Sequence, residues 1–145
     1  MIVRDAMTPD VCIVTPDQTI REAARLMAEN DLGALPVREN DRLIGMLTDR
    51  DIAVRGVATG CSPDAKVRQV MSTEVLYCFV DEDLDDVAKN MGDVKVRRLP
   101  VVNRDKRLVG IVSIGDVVRI EDDRTAASTI SRISEPGGAH SQHAH

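Results

Sequence analysis

A chain of 145 residues, 43% apolar and 30% charged, has room for one compact domain or two small modules sharing a core, and this composition excludes disorder over most of its length. A net charge of -5, one Phe, one Tyr and no Trp exclude both the basic surface that binds nucleic acid and the aromatic platforms on which single strands stack. Three cysteines without a C-x-x-C spacing, no apolar leader after Met1 and no run near the ~20 apolar residues of a membrane span lead us to expect a soluble, cytoplasmic protein.

In chain order, the β-rich run Val11 to Val14 predicts a first strand. An amphipathic helix follows, with Ile20, Ala23, Ala24 and Met27 on its apolar stripe and Thr19 and Glu22 spaced as a capping box. Leu35-Pro36-Val37 reads as a short strand confined by its Pro to an edge or a strand start. The polar turn Glu39 to Asp41 leads to the apolar strand Leu43 to Leu47, giving a hairpin, and a second helix is expected from Thr48. Gly56 to Lys66, with two Gly, a Pro and a Ser, reads as an exposed connector.

The series then repeats. At an offset of 64, Val3-Arg4 and Met7-Thr8 align with Val67-Arg68 and Met71-Ser72; further along, Ile20, Ala24 and Met27 align with Leu84, Ala88 and Met91, and Leu35-Pro36-Val37 with Leu99-Pro100-Val101. After one inserted turn residue, Gly45, Thr48 and Asp51 align with Gly110, Ser113 and Asp116. The second copy thus predicts strands at Val75 to Val80, Leu99 to Val102 and Leu108 to Val112, and a last helix from Ser113. We expect repeat 1 at 3–56, a connector at 57–66, repeat 2 at 67–120 and a tail at 121–145. Each repeat, at about 55 residues, buries too little surface to stand alone, so the pair is the expected folding unit.

Chemistry concentrates where the last strand of each repeat meets its last helix. A hydroxyl at a helix N-cap, Thr48 or Ser113, with free N–H groups beside it, suits a phosphate. A carboxylate three residues on, Asp51 or Asp116, repels phosphate but accepts hydrogen bonds from the two hydroxyls of a ribose. The same spacing makes a capping box, and a repeated fold repeats its caps, so both readings stand on the residues alone. Lys95, Arg97 and Arg98 precede the second Pro strand, where the first repeat has Asp31, Gly33 and Ala34. An arginine fork matches phosphate oxygens; a solvated charge run is the alternative.

Gly45-Met46-Leu47-Thr48-Asp49-Arg50-Asp51 and Gly110-Ile111-Val112-Ser113-Ile114-Gly115-Asp116 resemble the ribose-phosphate motif of cystathionine-β-synthase-type (CBS) domains. Over about residues 3–120 the chain is similar to small free-standing bacterial CBS pairs. The resemblance implies an α/β (α+β) fold of two pseudo-twofold βαββα repeats, a Bateman-type module. It implies clefts that combine the ribose motif of one repeat with the first strand and Pro strand of the other. Thr48, Arg50 and Asp51 then share one site with Val80, Arg97 and Arg98, and Ser113, Gly115 and Asp116 share a second with Val14, Thr15 and Ala34. Arg97 and Arg98 fall where the regulatory subunits of AMP-activated kinases, a similar CBS family, carry phosphate-contacting residues. The implied ligand is AMP, ADP, ATP or NAD(H), with no catalytic cofactor, a homodimer as the assembly and a separate effector protein as the receiver. The alternative is a ligand-free structural or dimerisation stress protein whose Thr, Ser and Asp are only caps.

The remaining features point away from catalysis. His140, His143 and His145 lie in a Gly- and Ser-rich stretch that reads as a polar tail rather than a metal site. Cys61 has no nearby His or cationic pair to activate it, and Cys12 and Cys78 lie in apolar strands. No G-x-S-x-G or Walker-type segment occurs, so a non-enzyme is expected.

Overall fold

Two compact units make up the computed structural model, which describes residues 1–120 and 130–134, and neither unit coincides with one sequence repeat. One unit comprises Cys12–Val75 and Lys106–Leu108; the other comprises Met1–Val11, Leu76–Asp105 and the described residues from Val109 on.

In the first of these, helix α1 (Ile20–Asn30) starts where Thr19 accepts a 3.1 Å hydrogen bond from the Glu22 N–H. The cap half of the expected box is therefore in place, and the Glu22 carboxylate takes the Thr19 hydroxyl at 3.2 Å. Ile20, Ala23 and Met27 are buried, but Ala24 is exposed, so the stripe is narrower than its apolar spacing suggests. Strands β1 (Ala34–Glu39) and β2 (Arg42–Thr48) pair antiparallel across Asn40 and Asp41, whose φ angles of 52° and 66° fit a tight two-residue turn. Both side chains tolerate that left-handed backbone better than a branched residue would.

The other unit repeats the plan with strand β3 (Cys78–Phe79), helix α2 (Leu84–Val94), β4 (Arg98–Val102), β5 (Leu108–Ser113) and helix α3 (Ile114–Ile120). Its sheet runs β3-β4-β5, with β3 parallel to β4. The first strand of each repeat is shorter than its sequence predicts: Val14 makes one parallel bridge to Val37, and β3 has two residues. Among the described residues, this pairing ends where Arg38 N–H reaches Val14 O and where Val80 N–H reaches Val102 O.

The opening segments of the two repeats lie in exchanged units. The 3-10 turn Val3–Asp5 belongs with α2: Val3 and Ala6 join Leu84, Val87, Met91 and Leu99 in one core. The turn Val67–Gln69, the first of repeat 2, belongs with α1: Val67 and Val70 join Ile20, Leu35 and Leu47 in the other. Val3 and Val67 are both fully buried. Each opening segment then adds a bridge to a last strand, Thr8 to Ile111 and Ser72 to Met46.

That bridge explains the glycine of each motif. A Cβ on Gly45 would lie 2.7 Å from the Ser72 carbonyl oxygen, and one on Gly110 would lie 2.9 Å from that of Thr8 and 2.6 Å from Met7 Sδ. The close neighbour is protein backbone.

Candidate functional site

Each motif forms at the end of a hairpin strand. Thr48 closes β2, and its N–H donates to Asp51 Oδ2 at 2.9 Å while Asp51 N–H donates back to Thr48 Oγ1 at 3.0 Å. Ser113 closes β5 in the same way: its N–H and hydroxyl donate to Asp116 Oδ2 at 2.8 and 3.0 Å, and Asp116 N–H reaches Ser113 Oγ at 3.3 Å. The capping bonds are thus made in both copies. A carboxylate offers about four acceptor positions, so a cap alone does not exhaust it.

What differs is the outer oxygen. Asp51 is half-buried, and among the described residues no group donates to its Oδ1. Asp116 is only 7% exposed, and its Oδ1 receives Arg119 Nη2 at 2.8 Å. Arg119 lies one helical turn on and aligns with Val54, so the first repeat has no such partner. Neither repeat's sequence reading included Arg119, although its i+3 spacing from Asp116 is legible.

The strand preceding each hairpin supplies the flank. Ala34 pairs with Thr48, and Asp49 N–H donates to Gly33 O at 2.9 Å. In the second copy Ile114 N–H donates to Arg97 O at 2.8 Å, which brings Arg97 and Arg98 beside Ser113. Both arginines are exposed and unpaired among the described residues. Direct contacts therefore join motif and flank within one repeat, where a tight hairpin holds them together.

The other predicted residues fall into two classes. Val14 and Val80 are buried in the two cores, and the N–H and carbonyl of each are already paired: Val14 with Pro36 and Arg38, Val80 with Val102 and Arg4. Thr15 is exposed, its N–H held by Gln18 Oε1 at 2.9 Å, and Arg50 is half-buried with its N–H on Asp49 Oδ1 at 2.8 Å. Gly115 is exposed, and a Cβ there would meet Ser113 Oγ at an ordinary 3.5 Å.

Burial, with a smaller contribution from Glu82, pushes the Cys78 thiol up to about 12, so it remains protonated and unreactive at neutral pH. Among the described residues no three His, Cys, Asp or Glu side chains converge as a metal site, and no helix is long and apolar enough to cross a membrane. His140, His143 and His145 lie outside the described residues.

These paired motifs have counterparts in known proteins. The family model for the CBS domain matches twice, at residues 3–56 and 67–123. The CBS domain-containing protein YhcV of Bacillus subtilis is 44% identical over 133 residues, covering 91% of this chain and 94% of its own. Hypoxic response protein 1 of Mycobacterium tuberculosis is 36% identical over 92% of this chain and 94% of its own. A crystal structure of Hypoxic Response Protein I with two coordinated zinc ions superposes with a TM-score of 0.75 at 37% identity, over 84% of this chain and all of that one. The CBS domain pair of protein MJ0100, in complex with 5-methylthioadenosine and S-adenosyl-L-methionine, superposes with a TM-score of 0.70 at 27% identity, over 83% of this chain and 94% of that one. Two matches to one model, at the positions of the two repeats, make this chain a tandem member of the CBS domain family.

Proposed function

We propose that the two motifs hold adenine nucleotides, AMP, ADP, ATP or NAD(H), and that the protein is a non-catalytic cytoplasmic sensor. It acts as a homodimer on a separate effector, through ligand-dependent conformational change. The observation that carries this reading is Asp51: a half-buried carboxylate fixed at a strand end by its own cap, with Oδ1 open to the hydroxyls of a ribose. The adenosine ligands in the MJ0100 pair support that ligand class.

Grouped within each repeat, Thr48, Arg50 and Asp51 with Ala34 form one set, and Ser113, Gly115 and Asp116 with Arg97 and Arg98 form the other. In the second, the exposed guanidiniums supply the charge-assisted bonds that a phosphate takes. A signal follows only if the ligand binds one arrangement of the chain better than another.

A thermal-shift series with AMP, ATP and NAD(H) tests the reading. A ligand at a hundred times its Kd stabilises by about 2.7 kcal/mol, roughly 5–10 °C for a chain of this size. We expect such a shift with at least one of them, reduced in Asp51→Ala and in Asp116→Ala and absent from the double variant. The fully made caps favour one other reading, a ligand-free structural protein. It predicts lower melting temperatures in both variants and no shift with any nucleotide at millimolar concentration.

A further inference from the structure

The two motif carboxylates differ in what they have left to offer. Asp51 Oδ2 takes one donor, the Thr48 N–H, and Oδ1 takes none among the described residues. Asp116 takes three: the Ser113 N–H, the Ser113 hydroxyl and the Arg119 guanidinium. Of about four acceptor positions, Asp51 has room for both hydroxyls of a ribose, and Asp116 has room for one. A diol that enters the second site must therefore displace a donor, and Arg119 is the one on the outer oxygen Oδ1, whereas the Ser113 N–H and hydroxyl both hold Oδ2.

Removal has opposite consequences for charged and uncharged ligands. The Asp116 side chain is 10% exposed and Arg119 is 67% exposed, so the carboxylate stays in place and the long cation moves. An uncharged nucleoside replaces a charge-assisted bond with a weaker hydroxyl bond and gives the guanidinium nothing in return. A nucleotide brings a phosphate to Ser113, Arg97 and Arg98, and that phosphate offers the released fork a second anion.

Resting on the reading of Asp116 as a ribose acceptor, we propose that Arg119 is a displaceable latch on the second-repeat site that selects phosphorylated over unphosphorylated adenosine. The first repeat, with Val54 at the equivalent position, has no latch and admits adenosine and AMP more evenly. Arg119 is thus a specificity-determining residue, and the inequality of the two sites extends beyond the Arg97–Arg98 pair.

Site-resolved titration tests this. In 15N-labelled protein the amides of Ser113, Gly115 and Asp116 are followed during additions of AMP and, separately, of adenosine. At these amides the ratio of AMP to adenosine affinity is expected to fall about tenfold in Arg119→Gln, the factor that one charge-assisted hydrogen bond supports, with adenosine binding more tightly than in the parent. Arg119→Lys, which keeps the charge, is expected to retain most of the preference. An unchanged ratio in Arg119→Gln, with both ligands still binding, overturns the latch and leaves the nucleotide site standing. No perturbation of these amides by either ligand in the parent protein overturns the site and the latch together.

Discussion

Val3→Asp is expected to lower the stability of the unit built on α2 by about 3–5 kcal/mol, the cost of an unpaired charge where Val3 is fully buried. That is a large part of the roughly 5–15 kcal/mol by which small domains are stable. Native-state hydrogen exchange locates the effect. Protection is expected to fall first in Leu84–Val94 and Arg98–Val102, although Val3 opens the other repeat in sequence. The converse substitution, Val67→Asp, is expected to strip Ile20–Asn30 and the β1–β2 hairpin first. Protection lost first within the residue's own sequence repeat contradicts the exchange of opening segments.

The motif glycines carry the second large effect. Gly45→Ala and Gly110→Ala each insert a methyl against a backbone carbonyl, at 2.7 Å and 2.9 Å, and overpacking of this kind costs about 1–3 kcal/mol. Both carbonyls are fixed by their bridges, Ser72 to Met46 and Thr8 to Ile111, and Gly45 is expected at the upper end because its carbonyl is the nearer. Gly115→Ala is the control. Its methyl meets only ordinary contact, and Ala favours the helix, so stability is expected to hold or rise. Urea unfolding of the three variants ranks them. A Gly45→Ala protein as stable as its parent removes the steric account of the glycine.

Much of this architecture was legible because the sequence writes it twice. The helix stripe, the Thr19 cap and the hairpin depend on residues within a few positions of one another, and each appears where its spacing put it except that Ala24 of the stripe is exposed. The exchange of opening segments was not legible, since Val3-Arg4 and Val67-Arg68 are near-identical and local pattern cannot say which of two similar cores each one enters. The first strands came out short for a related reason: Val11 to Val14 is β-rich, but only residues beside an available strand edge can pair.

Within the candidate site, Thr48 with Asp51 and Ser113 with Asp116 make the capping bonds that their spacing allows. Val14 and Val80 rest on resemblance alone, and both lie buried in the two cores. The role of Arg119 is not legible in the sequence because a carboxylate and an arginine three apart on a helix read as a surface pair, and only the burial of Asp116 gives that pair consequence.

Equilibrium dialysis of labelled AMP against the purified protein tests the central claim most directly, because it counts sites without relying on stability. Saturable binding is expected, with more than one ligand per chain at saturation and the capacity falling by about one site in Asp51→Ala and again in Asp51→Ala/Asp116→Ala. Binding that is absent at millimolar AMP, or that is unchanged in the double variant, contradicts a nucleotide site at these carboxylates.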